Sequence, residues 1–246
     1  MKPGQSETAI ELMRILALAG SSRLNDPAVV NALINSQFYQ QYQAEIETDP
    51  QAIGRDLSPS GAKNRRNGSM KFYPLPFFHA SHIECVLFRP HFFSGWDASK
   101  VEIIQIGCAP DHAELGYRIE RGRHGDVDRH GYLHVQMAAN FHRGIQLAIP
   151  SGLSTKHPAF PINDTQPYAP VYAAMIAFTG LQKDWNGGLA NELQNLRQYG
   201  NSTNFNHIVA SVKTTCHAMF FNRGKNFQSK IAGQLGLWLA KLQRNP

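Results

Sequence analysis

Between residues 81 and 150 the chain sets five short apolar runs so close together that crossover helices have no room between them. "SHIECVLF" (81–88), "VEIIQIG" (101–107), "LGYRIER" (115–121), "GYLHVQMAANF" (131–141) and "GIQLAIP" (144–150) are rich in β-branched and aromatic residues and bounded by turn formers. A parallel pair needs a long connection, whereas an antiparallel pair closes through a short hairpin. The spacing therefore predicts a central antiparallel sheet of about five strands.

The flanks read as helix. Ser6 to Ala19 repeats apolar residues at helical spacing (Ile10, Met13, Leu16, Ala17), with Ser6 as N-cap. Asp26 followed by Pro27 opens a second helix, expected to run to about Glu47. Residues 48–69 hold Pro, Gly, Ser and charge without periodicity and read as a long mobile connection. Residues 154–170 contain four prolines and read as loop. Helices are then expected from Pro170, from about Gly188, from Asn206 and from Phe227. Strands between two helical ends define an α+β fold. The expected division is a helical N-terminal segment (1–47), a mobile basic connection (48–70), and an antiparallel sheet plus helical C-terminal half (71–246), together one compact domain.

With 42% apolar and 17% charged residues, the chain is globular in composition. Its formal charge of +6, with eleven histidines in reserve, favours anionic partners, nucleic acid first among them. Cys85, Cys108 and Cys216 are distant, odd in number and form no Cys-x-x-Cys, so reduced thiols in a cytoplasmic protein are expected rather than disulfides. The apolar stretch near the N-terminus carries Glu7, Glu11 and Arg14 where a signal peptide would not, and no run is long enough to span a bilayer. The P-loop, Gly-x-Gly-x-x-Gly, Gly-x-Ser-x-Gly and His-Glu-x-x-His patterns do not occur, which argues against the chemistries they carry.

The strand 131–141 poses the functional question. Leu133, Val135, Met137, Ala139 and Phe141 occupy one parity; Tyr132, His134, Gln136, Ala138 and Asn140 occupy the other. Side chains alternate between the faces of a strand, so an apolar face is backed by a row of polar groups. His82 and Glu84 form a similar pair two residues apart in "HASHIECVLF". If the two strands bring these pairs together, His82, Glu84 and His134 hold a divalent ion (Mg²⁺, Mn²⁺ or Zn²⁺), with Gln136 nearby. His134, Gln136 and Glu84 are then the catalytic candidates. A half-exposed strand with polar residues on its wet side is the plain alternative.

The tripeptide "HVQ" (134–136) resembles the His-hydrophobe-Gln strand motif of HUH endonucleases, in which the pair holds a divalent ion and a helical tyrosine attacks the phosphodiester. The resemblance covers three residues and names no family for this chain. It draws attention to the downstream Tyr168, Tyr172 and Tyr199, although no lysine stands four residues after Tyr168 or Tyr172.

Several basic stretches suit a phosphate backbone. Lys63, Arg65 and Arg66 cluster in "KNRRNG", Arg121 and Arg123 flank the mixed-charge loop "RHGDVDRHG", and Arg223 and Lys225 interleave with aromatics in "FFNRGKNF". Asp97 and Glu102 approach the carboxylate spacing of a PD-(D/E)xK nuclease, but no lysine stands two positions after Glu102, so a buried or edge-strand glutamate is expected there. The sequence thus favours a nucleic-acid-processing protein, in its sharpest form a divalent-metal-dependent nuclease (a hydrolase). The alternatives are a non-catalytic nucleic-acid-binding or protein-interaction module and a small-ligand or metal-binding β-rich protein.

Overall fold

The computed structural model describes residues 5–64, 70–75, 85–93, 97–107, 114–120, 133–137, 140–141, 144–147, 160–162, 196–200, 205–208 and 210. Helix α1 (Gln5–Arg23) is apolar almost all round: Ala9, Ile10, Leu12, Met13, Ile15, Leu16, Ala17 and Ala19 are all buried. A helix with that pattern belongs inside a core, not on a surface. Its neighbours are the sheet on one side and short helices on others. Gly20 permits the approach to the sheet, because a Cβ there would collide with the carbonyl of Pro74.

The helical stretch expected from Pro27 to about Glu47 is broken into three pieces. Helix α2 (Pro27–Ile34) starts at the Asp26 side chain, which accepts from the Ala28 N–H at 3.0 Å. Ser36 then ends it and starts α3 (Gln37–Tyr42), its Oγ accepting from the Tyr39 N–H at 3.0 Å. A capping hydroxyl competes with helix continuation, so the sequence pauses there. A 3-10 turn at Gln43–Glu45 follows.

Residues 50–64 also differ from the irregular connection expected for them. They form α4 (Pro50–Asp56) and α5 (Pro59–Asn64). Each begins with a cap followed by proline at the first helical position, a combination that favours helix without needing long periodicity. Asp49 accepts from the Gln51 and Ala52 N–H groups, and Ser58 Oγ accepts from the Gly61 N–H.

The antiparallel sheet places the fold in the α+β class. Among the described residues its order is β1-β2-β3-β4-β5-β6, from β1 (Tyr73–Leu75), β2 (Cys85–Phe93), β3 (Asp97–Ile106), β4 (Leu115–Glu120), β5 (Leu133–Met137) and β6 (Phe160–Ile162). Strand β1 precedes the five expected runs, within the part from residue 71 assigned to the sheet, and β6 lies in the proline-rich stretch expected to be loop. In the expected strand 144–150, the described residues make a single bridge, between Asn140 and Gln146, and Gly144 has φ 73°. Of the helical C-terminal half, the described parts are a 3-10 turn at Leu196–Tyr199 and helical residues 205–208. The rest of that expectation lies outside the described residues. Among the described residues, no helix is long and apolar enough to cross a membrane.

Strand alternation divides the core in two. Val86, Phe88, Val101, Ile103 and Ile119 pack with α1, α4 and α5 on one face. Cys85, Leu87, Ile104 and Ile106 pack with Val29, Leu33, Phe38 and Phe72 on the other. That second face changes character along its length, and the change locates the site.

Candidate functional site

Beyond Leu87 on β2 and Ile104 on β3, the second face turns from apolar to charged. Arg89 stands opposite Glu102, and His91 opposite Lys100. Both rungs continue across β4: Glu102 faces Arg118, and Lys100 faces Glu120. They continue again onto β5, where Arg118 faces Gln136 and Glu120 faces His134. Two adjacent polar rungs therefore cross four strands. One reads Arg89, Glu102, Arg118, Gln136; the other reads His91, Lys100, Glu120, His134.

Glu102 is the centre of the described cluster. It is wholly buried, as is Arg89, and His91 is 1% exposed. Glu102 Oε2 lies 2.7 Å from Arg89 Nη2, 2.9 Å from Arg89 Nε and 2.8 Å from His91 Nε2. Its other oxygen, Oε1, lies 2.9 Å from Lys100 Nζ. Arg89 is held from further sides: Nη1 is 3.4 Å from Glu45 Oε2, and its guanidinium carbon sits 4.3 Å from the Phe72 ring centroid. A buried charge is tolerated only when paired and hydrogen-bonded in this manner.

The surroundings fix protonation. Burial pushes Glu102 towards its neutral form, but the hydrogen bond and charge of His91, with the cations Arg89 and Lys100, outweigh burial and hold the carboxyl far below the usual carboxylate range. His91 moves the other way for an imidazole: burial lowers it, and Lys100 and Arg89 lower it further, against the pull of Glu102. Near neutral pH the pair is an ionised carboxylate beside a neutral imidazole.

Lys100 differs from the rest in keeping an outlet, its side chain 16% exposed where those of Arg89 and Glu102 are sealed. A β-bulge adjoins it: His91 pairs with Lys100 but Phe92 pairs with Ala98, leaving Ser99 between. Bulges of this kind bend a strand and re-aim the residues beside it.

The sequence-predicted residues divide accordingly. His134 and Gln136 stand in the polar rungs, across from Glu120 and Arg118, while Val135 stands across from the buried Ile119, so the predicted alternation has a matching register. Glu102 is buried, as expected from its broken nuclease pattern. Lys63 belongs to α5, on the opposite side of the sheet from the rungs. His82, Glu84, Arg65, Arg66, Arg121, Arg123, Arg223, Lys225, Tyr168 and Tyr172 lie outside the described residues. Tyr199 packs beside the α1 core, its hydroxyl 2.8 Å from Ser22 Oγ, away from the polar rungs. Among the described residues no group of three or more His, Cys, Asp or Glu gathers where an ion would sit.

Arg89, His91 and Lys100 were not singled out from sequence. The signal was available, because the alternation of Cys85 and Leu87 runs on through Arg89 and His91. Pro90 conceals it by reading as a strand breaker. Pro90 is accommodated because β1 pairs with β2 only as far as Phe88, and the remaining length of β2 has a ladder on one side. No family model, curated protein or solved structure matches this chain.

Proposed function

We propose that this is a cytoplasmic nucleic-acid-processing enzyme that cleaves phosphodiesters, with the two polar rungs as its reacting surface. The observation that carries the reading is the gathering of Arg89, Lys100 and Arg118 around one buried carboxylate, on the rungs that also carry His91 and His134. The formal charge of +6 favours an anionic ligand over the whole chain. Imidazoles titrate near neutral pH and suit proton transfer to and from phosphodiester oxygens. Lys100 and Arg118, neither of them sealed from solvent, are assigned to the phosphate.

The metal-dependent form of the reading places an ion on His82, Glu84 and His134, where it activates water or stabilises the leaving oxygen. Basic side chains elsewhere (Lys63, Arg65, Arg66, Arg121, Arg123, Arg223 and Lys225) are assigned to the phosphate backbone.

The test incubates the full chain with RNA and with DNA, each with Mg²⁺ and with EDTA. Cleavage of either polymer, lost in Lys100→Met and His134→Ala variants that keep the wild-type circular dichroism spectrum, is the expected result. Absence of cleavage under all four conditions overturns the enzymatic reading. Salt-sensitive retention without turnover would then leave the non-catalytic binding module in its place.

A further inference from the structure

Glu120 and His134 are the β4 and β5 members of the second polar rung. They stand directly opposite one another on β4 and β5, with Lys100 opposite Glu120 on its other side. Arg118 lies two residues along β4, in register with Gln136. Opposed residues of an antiparallel pair have Cβ atoms about 5 Å apart, and same-face neighbours along a strand are about 7 Å apart. A carboxylate, an imidazole and two cations thus occupy neighbouring ladder positions within the span of one phosphodiester.

Building on the phosphodiester reading above, we propose that the substrate is RNA, cleaved by its own 2′-hydroxyl without a metal ion. Glu120 acts as the base and His134 as the acid, and Lys100 and Arg118 hold the phosphate. Glu120 takes the proton of the 2′-hydroxyl as that oxygen bonds to phosphorus. The bond from phosphorus to the 5′-oxygen breaks, and the His134 imidazolium gives its proton to the departing oxygen. The products are a 2′,3′-cyclic phosphate and a 5′-hydroxyl end, with every proton accounted for and no redox partner needed.

The residue set favours RNA over DNA on chemical grounds. Hydrolysis of DNA must activate a water molecule, a task for which metal-bound hydroxide is suited at neutral pH. In RNA the nucleophile is already tethered beside the phosphorus, so one base, one acid and cationic support complete the requirement. The more deeply buried part of the array has a separate task. Arg89 is enclosed between Glu102, Glu45 and Phe72 and fixes Glu102, which in turn holds Lys100 at 2.9 Å. Arg89 and Glu102 are positioning residues, and Lys100 is what they position.

The experiment uses a DNA oligonucleotide carrying a single ribonucleotide, and its all-deoxy counterpart, incubated with the full chain in excess EDTA. The expected result is one cut, 3′ to the ribonucleotide, ending in a 2′,3′-cyclic phosphate, with the all-deoxy strand intact. Glu120→Gln and His134→Ala are each expected to slow that cut by about 100-fold or more. His134→Asn serves where the alanine variant does not fold. Cleavage of the all-deoxy strand, or cleavage that needs Mg²⁺, overturns the inference and leaves the phosphodiester reading standing. Failure to cut either strand, with or without Mg²⁺, removes both.

Discussion

Arg89 Nη2 lies 2.7 Å from Glu102 Oε2 with neither side chain open to solvent. Removing one partner of a sealed pair strands the other charge, at a cost of about 3–5 kcal/mol. Arg89→Met and Glu102→Leu should each lower the free energy of unfolding by that much, measured by urea unfolding. The double variant should recover most of the loss, since both charges leave together.

Stability should fall as the solution is acidified, in two stages. His91 is depressed in the fold from its ordinary value of 6.5, so below about that pH the unfolded chain binds a proton that the fold refuses. Glu102 is depressed from 4.5, so its contribution is complete above that value and drains away as pH drops further. Both signs run in one direction. Melting temperatures recorded from pH 8 to pH 2 should decline through both stages, and His91→Gln should flatten the upper stage and weaken the lower one, because His91 also helps to hold Glu102 down.

Two helical glycines should answer alanine in opposite ways. In an open helical position, Gly→Ala stabilises by about 1 kcal/mol. Gly54, in α4, has nothing within 4 Å of a built Cβ, and Gly54→Ala should gain that amount. At Gly20 the new methyl meets the backbone of Pro74 and Leu75, which cannot swing aside. Gly20→Ala should therefore destabilise by about 1–3 kcal/mol. Paired thermal melts decide the point, and equal signs would contradict the close approach of α1 to β1.

Lys100 should contribute about one phosphate contact. Affinity for a single-stranded RNA, measured from 50 to 300 mM salt, should fall linearly on logarithmic axes. Lys100→Met should reduce the slope by about 0.7, the share of one contact on single strands. An unchanged slope would mean that Lys100 serves only Glu102.

The antiparallel sheet was legible in the sequence because its strands are close together and rich in β-formers; nothing else fits between 101 and 137. Helix breaks at Ser36 and Ser58 were less visible, since capping hydroxyls act over a single turn and leave longer periodicity almost intact. For the site, alternation picked out His134 and Gln136, and the failed nuclease spacing singled out Glu102 as a buried glutamate. What alternation within one strand does not supply is the neighbour. Glu102 acquires meaning from Arg89 and His91 on β2 and from Arg118 on β4, and those pairings come from ladder register, which no local window encodes. Pro90 compounded the difficulty by ending the apparent strand one residue after Arg89.

The burial of α1 has a bearing on biosynthesis. This helix is synthesised ahead of its enclosing partners, which include Val101, Ile103 and Ile119 on the sheet and Leu196, Phe205 and Ile208 much further along. At about 5–20 residues per second, the nascent chain must keep a segment with a broad apolar face out of trouble for several seconds before those partners exist. An element made well before its partners is sheltered late, so yield in a host cell should depend on chaperone capacity more than on the finished protein's stability.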